Sequence, residues 1–184
     1  KDINDALNTL NKGQVILYPT DTIWGLGCDA TNEEAVDRVY NIKRRSDTKS
    51  MLILLENENM LRQYVKEVPE VAWELIEVSD KPMTIIYPGA KNLAPNLIAE
   101  DGSVGIRIVN DPFCRELIRR FRKPLVSTSA NISGSPSPEI YDKIEEEIKE
   151  AADLIVSWRQ NDLQPSVASS IIKLNANGVF TIIR

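Results

Sequence analysis

Small hydroxyl and amide side chains are concentrated in one stretch of the sequence, PLVSTSANISG at residues 124–134. Its small polar members are Ser127, Thr128, Ser129, Asn131 and Ser133. Backbone N–H groups and small hydroxyls can form a nest that binds an anion, because small side chains let a ligand approach the backbone. The alternative is an ordinary serine-rich loop. Neither the Walker loop GxxxxGK[ST] nor the dinucleotide-binding pattern GxGxxG occurs in the chain.

Cations are grouped in a second stretch, IKRRSDTKS at residues 42–50, which follows an amphipathic helical pattern. Lys43, Arg44, Arg45 and Lys49 could together hold a polyphosphate, arginine by paired hydrogen bonds and lysine as a point charge. The alternative, which the stretch taken alone favours, is a solvated helix C-terminus where cations complement the helix dipole.

Two further positions combine charge with predicted strands. In YPTDTIWGLG, residues 18–27, Asp21 stands between Thr20 and Thr22 at a strand end, which suits either a β-turn or a small polar ligand. Arg107 lies within the apolar strand VGIRIV, and a buried arginine needs an anionic partner. That partner is either an internal carboxylate or a substrate carboxylate or phosphate.

Composition excludes several kinds of chemistry. Histidine is absent, which removes histidine-based triads, histidine acid–base catalysis and most zinc enzymes. The net charge of −5 argues against a protein that coats nucleic acid by charge alone. Cys28 and Cys114 match no zinc or redox spacing, so we interpret them as free thiols of a cytoplasmic protein. No apolar run is long enough to span a bilayer, and we expect no membrane partner. The remaining groups favour positioning and electrostatics on a phosphate-bearing substrate.

Short β-branched segments alternate with helical patterns, which predicts an α/β fold. The predicted strands are 15–18, 51–55, 83–87, 104–109, 124–128, 153–157, 167–174 and 179–184, and the predicted helices are 33–43, 69–78, 111–122 and 139–151. The turn signal NANG separates the last two strands, so an antiparallel hairpin joins the sheet and the sheet is mixed. With 184 residues, we expect one domain, 1–184.

The order of these motifs resembles the YrdC-like family of threonylcarbamoyl-adenylate synthases. The order is YPTDTIWGLG, then IKRR with a following lysine, VGIRI, STSANISG and a late SS before an apolar strand. The resemblance covers about Leu10 to Arg184, and it is much more specific than any single motif. It implies an open, twisted α/β sheet around a large, positively lined concave face, in the short single-domain form of the family.

The resemblance also implies an activity. Family members are nucleotidyltransferases that join L-threonine, bicarbonate and ATP into threonylcarbamoyl-adenylate and pyrophosphate. We expect Mg²⁺ to arrive on the triphosphate, without a dedicated metal cage in the protein. Partner proteins then transfer the threonylcarbamoyl group to an adenosine of tRNA, and family members also bind double-stranded RNA. Since histidine and an obvious nucleophile are missing, we expect no covalent enzyme intermediate.

Matching positions take their roles from the resemblance. Lys43 and Arg45 match a Lys-x-Arg pair, and Ser129 and Asn131 match a Ser-x-Asn pair; these catalytic residues would hold the ATP phosphates or their magnesium. The threonine-binding residues would be Thr22, Arg107 and Ser169. The other ATP-binding residues would be Lys49, Ser103, Ser127 and Arg184.

The chain departs from the family pattern at several positions. Ser46 and Ser50 stand where relatives have prolines, and SDKPM at 79–83 replaces a Trp-Pro-Gly-Pro segment. Leu54 aligns with a histidine that helps some relatives bind threonine. Proline losses loosen a loop without removing chemistry, whereas the other differences could alter substrate binding.

Two other functions fit the same residues. One is a non-catalytic module that binds double-stranded RNA or tRNA, supported by a basic run. That run is Arg115, Arg119, Arg120, Arg122 and Lys123, which we interpret as a solvated helix face. The other is a carbamoyl-transfer domain like those in hydrogenase-maturation proteins, against which the lack of acylphosphatase or zinc-finger segments argues.

Overall fold

Nine strands form one mixed sheet in the computed structural model, which describes residues 1–44, 51–175 and 177–184. The strands are β1 (Ile16–Tyr18), β2 (Gly25–Gly27), β3 (Leu52–Leu55), β4 (Met83–Tyr87), β5 (Val104–Ile108), β6 (Leu125–Ser129), β7 (Leu154–Ile155), β8 (Ser170–Leu174) and β9 (Phe180–Ile182). Their order across the sheet is β7-β1-β2-β6-β3-β5-β4-β8-β9. Three pairs are parallel, β1 with β7, β3 with β5 and β4 with β8, and the others are antiparallel. The predicted mixed α/β sheet is confirmed, including the β8–β9 hairpin.

The helices of the described residues are short, and two of them begin at a side-chain cap. The helices are α1 (Asp2–Asn11), α2 (Glu33–Lys43), α3 (Leu61–Tyr64), α4 (Glu70–Val78), α5 (Pro112–Phe121) and α6 (Glu146–Ala151), with 3₁₀ turns at Glu58–Met60, Pro95–Leu97 and Tyr141–Lys143. The Asn32 side chain accepts a hydrogen bond from the backbone of Ala35 at the start of α2. Asp111 does the same for Cys114 at the start of α5, where Pro112 occupies the first helical position.

Most predicted elements are present, but one helix is wrong in its extent. The helix predicted for 139–151 begins only at Glu146, and the residues before it form a 3₁₀ turn. Like charges four residues apart destabilise a helix, and α6 already contains one such pair, Glu146 and Glu150. A longer helix would add a second pair, Asp142 and Glu146. Helices α1 and α3 and strand β2 were not predicted, and β2 forms although two of its three residues are glycines.

Different helices pack on the two faces of the sheet, and they cover one face more completely than the other. Alternate residues of the strands, such as Leu26, Ile53, Ile85 and Ile106, point into a large apolar core that also contains side chains of α2, α3, α4 and α6. The opposite face is covered only in part, where α1 and α5 pack on residues including Leu54. The rest of that face carries polar residues and lines a cavity. The position of α1 and α5 therefore decides where the sheet stays open.

A close backbone approach holds β1, β2 and β6 together at the edge of the open region. The Tyr18 hydroxyl donates a hydrogen bond of 2.9 Å to the carbonyl of Val126, and the tyrosine ring lies against Gly27 between them. A Cβ at position 27 would overlap that carbonyl and would stand 2.6 Å from the Tyr18 ring. Only glycine fits there without displacing β1 or β6.

We predict that Gly27→Ala destabilises the protein by about 2 kcal/mol, the usual effect of overpacking a core. The measurement is urea unfolding followed by circular dichroism. Gly105→Ala is the matched control, because its Cβ would meet its nearest neighbours at 3.4 Å, an ordinary contact distance. Equal stability of the two variants would show that Gly27 has room for a side chain.

Candidate functional site

The open part of the sheet forms the floor of a cavity of about 840 Å³. Its wall includes residues from strands that lie far apart in the sequence, because β2, β3, β4, β5, β6 and β8 all contribute to one face. The predicted residues found in the wall are Thr22, Ser103, Arg107, Ser127, Ser129, Ser169 and Arg184. The fold thus brings together the residues expected to bind threonine and most of those expected to bind ATP.

Arg107 is the buried charge at the centre of this floor. Its side chain is 3% exposed and forms an ion pair with Asp21, which is 7% exposed, at 3.0 Å between Nη2 and Oδ1. The Nε atom also donates to Oδ1 of Asp21 at 3.1 Å, and the backbone N–H of Asn110 donates to Oδ2 at 3.3 Å. The internal salt bridge considered from the sequence is therefore present, and the same arginine also lines the cavity.

The guanidinium keeps donor capacity beyond this ion pair. Nη1 lies 3.5 Å from Oγ of Ser169, and Nη2 lies 3.5 Å from Oγ1 of Thr20. Of the five N–H donors of an arginine, the bonds to described residues use at most four, and the two 3.5 Å bonds are at the long limit. Arg107 can therefore receive a further anion from the cavity without leaving Asp21.

The loop between β1 and β2 fixes the direction in which the Thr22 hydroxyl donates its hydrogen bond. Thr20 Oγ1 donates to the carbonyl of Ile23 at 2.8 Å and accepts the backbone N–H of Thr22 at 3.0 Å. The hydroxyls of Thr20 and Thr22 are 3.1 Å apart. Since the Thr20 proton is committed to Ile23, Thr22 is the donor of this pair, and its lone pairs remain as acceptors at the cavity.

A second hydroxyl pair lies on the opposite side of Arg107. Ser169 and Thr84 are both buried, and their Oγ and Oγ1 atoms are 2.7 Å apart. The carbonyl of Ser169 accepts a hydrogen bond of 2.9 Å from Nε of Arg184. This contact fixes the guanidinium of Arg184 beside the start of β8, at the cavity wall.

The predicted Lys-x-Arg and Ser-x-Asn motifs meet in part. Lys43 is fully buried, and its ammonium donates to the Ser129 carbonyl at 2.5 Å, to Ser129 Oγ at 3.3 Å and to Asn131 Oδ1 at 3.5 Å. Ser129 lines the cavity. Lys43 and Asn131 are not among the described wall residues, but both form hydrogen bonds with Ser129. The predicted ATP contacts Arg45 and Lys49 lie outside the described residues.

One rim of the cavity contains an acidic residue that the sequence did not indicate. Asp101 accepts hydrogen bonds from Ser103 Oγ at 2.6 Å and from Lys173 Nζ at 2.9 Å. The Ser103 hydroxyl, and then the Lys173 ammonium, lower the pKa of Asp101 to about 2. Because the Ser103 hydroxyl donates its hydrogen bond to this carboxylate, the lone pairs of its oxygen can accept a hydrogen bond from a ligand.

Other wall residues also escaped the sequence reasoning. Trp24, whose ring packs at a tilt 5.0 Å from the Tyr141 ring, lines the cavity. Ser137 and Lys173 line it too. Lys173 had a usable signal, since it alternates with Ile171 on one face of a predicted strand. Ser137 lies in a loop whose path depends on tertiary contacts, so its place in the wall had no local signal.

Two other sequence features lie away from the cavity. Leu54, aligned with the histidine of some relatives, is buried beneath α5 in the smaller core and is not part of the wall. In the basic run, Arg119 pairs with Glu56 and Glu116, and Lys123 pairs with Asp29. These pairs fit the interpretation of the run as a solvated helix face.

Within residues 1–44, 51–175 and 177–184, no helix has the length and apolar character needed to cross a membrane.

Comparisons with known proteins agree with the geometry. The Sua5/YciO/YrdC family, described as "Telomere recombination", matches residues 8–184. The threonylcarbamoyl-AMP synthase of Pseudoalteromonas translucida is 37% identical over 132 residues, which are 70% of this chain and 71% of that protein. The threonylcarbamoyl-AMP synthase of Vibrio cholerae is 34% identical over 140 residues, 74% of each chain.

A solved structure provides the same comparison in three dimensions. P. abyssi Sua5 complexed with L-threonine superimposes with a TM-score of 0.86 at 25% identity, and the match covers 99% of this chain. The chain spans about half of that protein, 53% of its length. The match over residues 8–184 and the relatives above 30% identity lead to one conclusion: the chain belongs to the Sua5/YciO/YrdC family.

Proposed function

We propose that this chain is an L-threonylcarbamoyladenylate synthase, an enzyme that converts L-threonine, bicarbonate and ATP into threonylcarbamoyl-AMP and pyrophosphate. The observation that carries the proposal is the cavity itself. It joins a buried arginine, which still has donor capacity, to hydroxyls that come from β4, β6 and the loops around the cavity. The synthases among the relatives and the threonine complex of P. abyssi Sua5 support the same activity.

The amino acid fits the end of the cavity that holds Arg107. An α-carboxylate needs donors, and the free capacity of the Arg107 guanidinium supplies them in a buried place where charge-assisted hydrogen bonds are strong. An α-amine needs an acceptor, and the Thr22 hydroxyl offers its lone pairs there. Ser169, 3.5 Å from Arg107, completes the predicted threonine site.

The nucleotide then takes the remaining wall. Ser103, Ser127, Ser129 and Arg184 are proposed as its contacts, and Lys43 holds Ser129 from behind. Arg45 and Lys49 are proposed phosphate contacts on the basis of the family pattern alone. Mg²⁺ would enter with ATP as part of the substrate. Among the described residues no group of three or more Cys, Asp and Glu side chains is placed to hold a metal ion.

In the proposed chemistry, the substrate forms no covalent bond to the protein. The threonine amine takes up bicarbonate and releases water, giving a carbamate. A carbamate oxygen attacks the α-phosphorus of ATP, the bond between the α-phosphorus and the bridging oxygen breaks, and pyrophosphate leaves with the electron pair. The enzyme, a nucleotidyltransferase in this scheme, works by holding the two reactants together and by neutralising charge on the phosphates. Downstream proteins would transfer the product group to tRNA.

The first test is pyrophosphate release from ATP with Mg²⁺ and bicarbonate, with and without L-threonine. We expect release that depends on threonine. Ser169→Ala should lower kcat/KM for threonine about 10-fold, the effect of losing one buried hydrogen bond.

The neighbouring Ser170→Ala is the matched control, because Ser170 is exposed and lies outside the cavity wall. Release without threonine dependence would contradict the proposal. RNA binding with steep salt dependence and no turnover would instead select the non-catalytic alternative.

A second prediction concerns the planar guanidinium. Arg107→Lys keeps the charge but cannot bind Asp21 and a substrate carboxylate with the same fork of donors. We expect the KM for threonine to rise 10- to 100-fold, equivalent to about 1.4–2.8 kcal/mol, while the KM for ATP changes little.

Steady-state kinetics check this split, and a thermal unfolding scan shows whether the variant is folded. Arg119→Lys, on the exposed face of α5, is the control for the substitution itself. A parallel rise of both KM values in folded Arg107→Lys would place threonine elsewhere.

A further inference from the structure

The connection between β7 and β8 runs from one end of the sheet almost to the other. These strands are separated by six others, which is about 34 Å at the usual spacing of about 4.8 Å. Residues 156–169 are long enough to span this distance when extended, at about 3.3 Å per residue. The end of the connection, Ala168 and Ser169, belongs to the cavity wall. Its beginning contacts the loop between β1 and β2, which carries Thr22 of the wall.

Arg159 makes those first contacts. Its Nη1 donates to the carbonyl of Thr20 at 3.0 Å and to Oδ1 of Asp111 at 3.1 Å. The preceding residue, Trp158, packs its ring 5.7 Å from that of Phe113 in α5. One guanidinium therefore ties the β7–β8 connection to the loop after β1 and to the N-terminus of α5.

The contact at Thr20 leads to the proposed amino-acid site through short steps. The carbonyl held by Arg159 belongs to the residue whose hydroxyl accepts the Thr22 N–H and fixes the Thr22 proton. The next residue, Asp21, holds Arg107. A shift of the Thr20 carbonyl would move both the Thr22 acceptor and the carboxylate that orients Arg107.

The contact between Arg159 and Asp111 affects the electrostatics around Asp21. Asp111 is 4% exposed, and burial raises its pKa, while Arg159 acts in the opposite direction and favours the charged carboxylate. Asp21 is near enough to raise the pKa of Asp111. Without Arg159, the buried Asp111 carboxylate would lose its cationic partner at the N-terminus of α5, close to Asp21.

We propose that Arg159 is a positioning residue for the amino-acid substrate, acting through Thr20 and Asp111 on Thr22 and Arg107. Its side chain is 29% exposed and does not belong to the cavity wall, so it does not touch the substrate. The substrate assignment rests on the proposed function, whereas the effect on the loop does not.

Arg159→Ala tests the proposal with two readouts. The first is hydrogen exchange of a peptide covering residues 19–23. It should become at least 5-fold faster, because a loop no longer held at the Thr20 carbonyl opens more often and exposes the Thr22 N–H. The second is the KM for L-threonine, which should rise about 10-fold while the KM for ATP stays within 2-fold. Arg159→Lys should recover part of both effects, because an ammonium can still donate to one of the two acceptors.

Arg38→Ala is the matched control. Arg38 also forms an ion pair, with Asp153 beside β7, and is not one of the residues that line the cavity. Unchanged exchange at 19–23 in Arg159→Ala would overturn the proposal. Equal rises of both KM values in an Arg159→Ala variant that is at least as stable as Arg38→Ala would also overturn it. Faster exchange in a protein whose wild type shows no threonine-dependent turnover would uphold the role of Arg159 in the loop and reject the proposed function.

Discussion

The site depends on keeping one arginine charged inside a sheet. Arg107 is almost inaccessible to water, and an unpaired charge in that position would cost several kcal/mol. Asp21 supplies the compensating charge, and the loop between β1 and β2 must therefore reach across the open face toward β5. The same loop carries Thr22, so the requirement that neutralises Arg107 also delivers an acceptor next to it. A donor and an acceptor side by side are what the charged end of an amino acid needs.

The sheet makes this arrangement possible because its two faces are covered unequally. Helices α1 and α5 pack only on the part of the second face that carries Leu54 and Leu125, and the polar residues of the same strands remain uncovered. Glycine supports the opening at two places. Gly27 lets Tyr18 lie flat between β1 and β6, while Gly105 leaves space above the floor between Leu52 and Thr84. The floor of the cavity is thus a consequence of strand register, helix placement and missing side chains, and loops between the strands complete its wall.

The sequence predicted the mixed sheet and seven residues of the cavity wall, since strand patterns and motif order are local signals. It could not decide whether the anionic partner of Arg107 is an internal carboxylate or a substrate, because the answer depends on which loop folds over β5. The structure shows an internal carboxylate, Asp21, and places Arg107 at a cavity as well. It also missed β2, whose glycines have low strand propensity and which forms only because β1 and β6 flank it. Arg159 had no signal, because its partners lie 139 and 48 residues away in the chain. The burial of Lys43 against Ser129 is likewise a tertiary result that a cationic cluster in the sequence does not reveal.

The most direct measurement is a crystal structure of the protein with L-threonine and a non-hydrolysable ATP analogue. Our account predicts the threonine carboxylate within hydrogen-bonding distance of the Arg107 guanidinium, the amine at the Thr22 hydroxyl, and the Arg107–Asp21 ion pair still formed. Threonine bound away from Arg107, or an Asp21 side chain displaced from the arginine by the substrate, would contradict the claim that the ion pair prepares the site in advance.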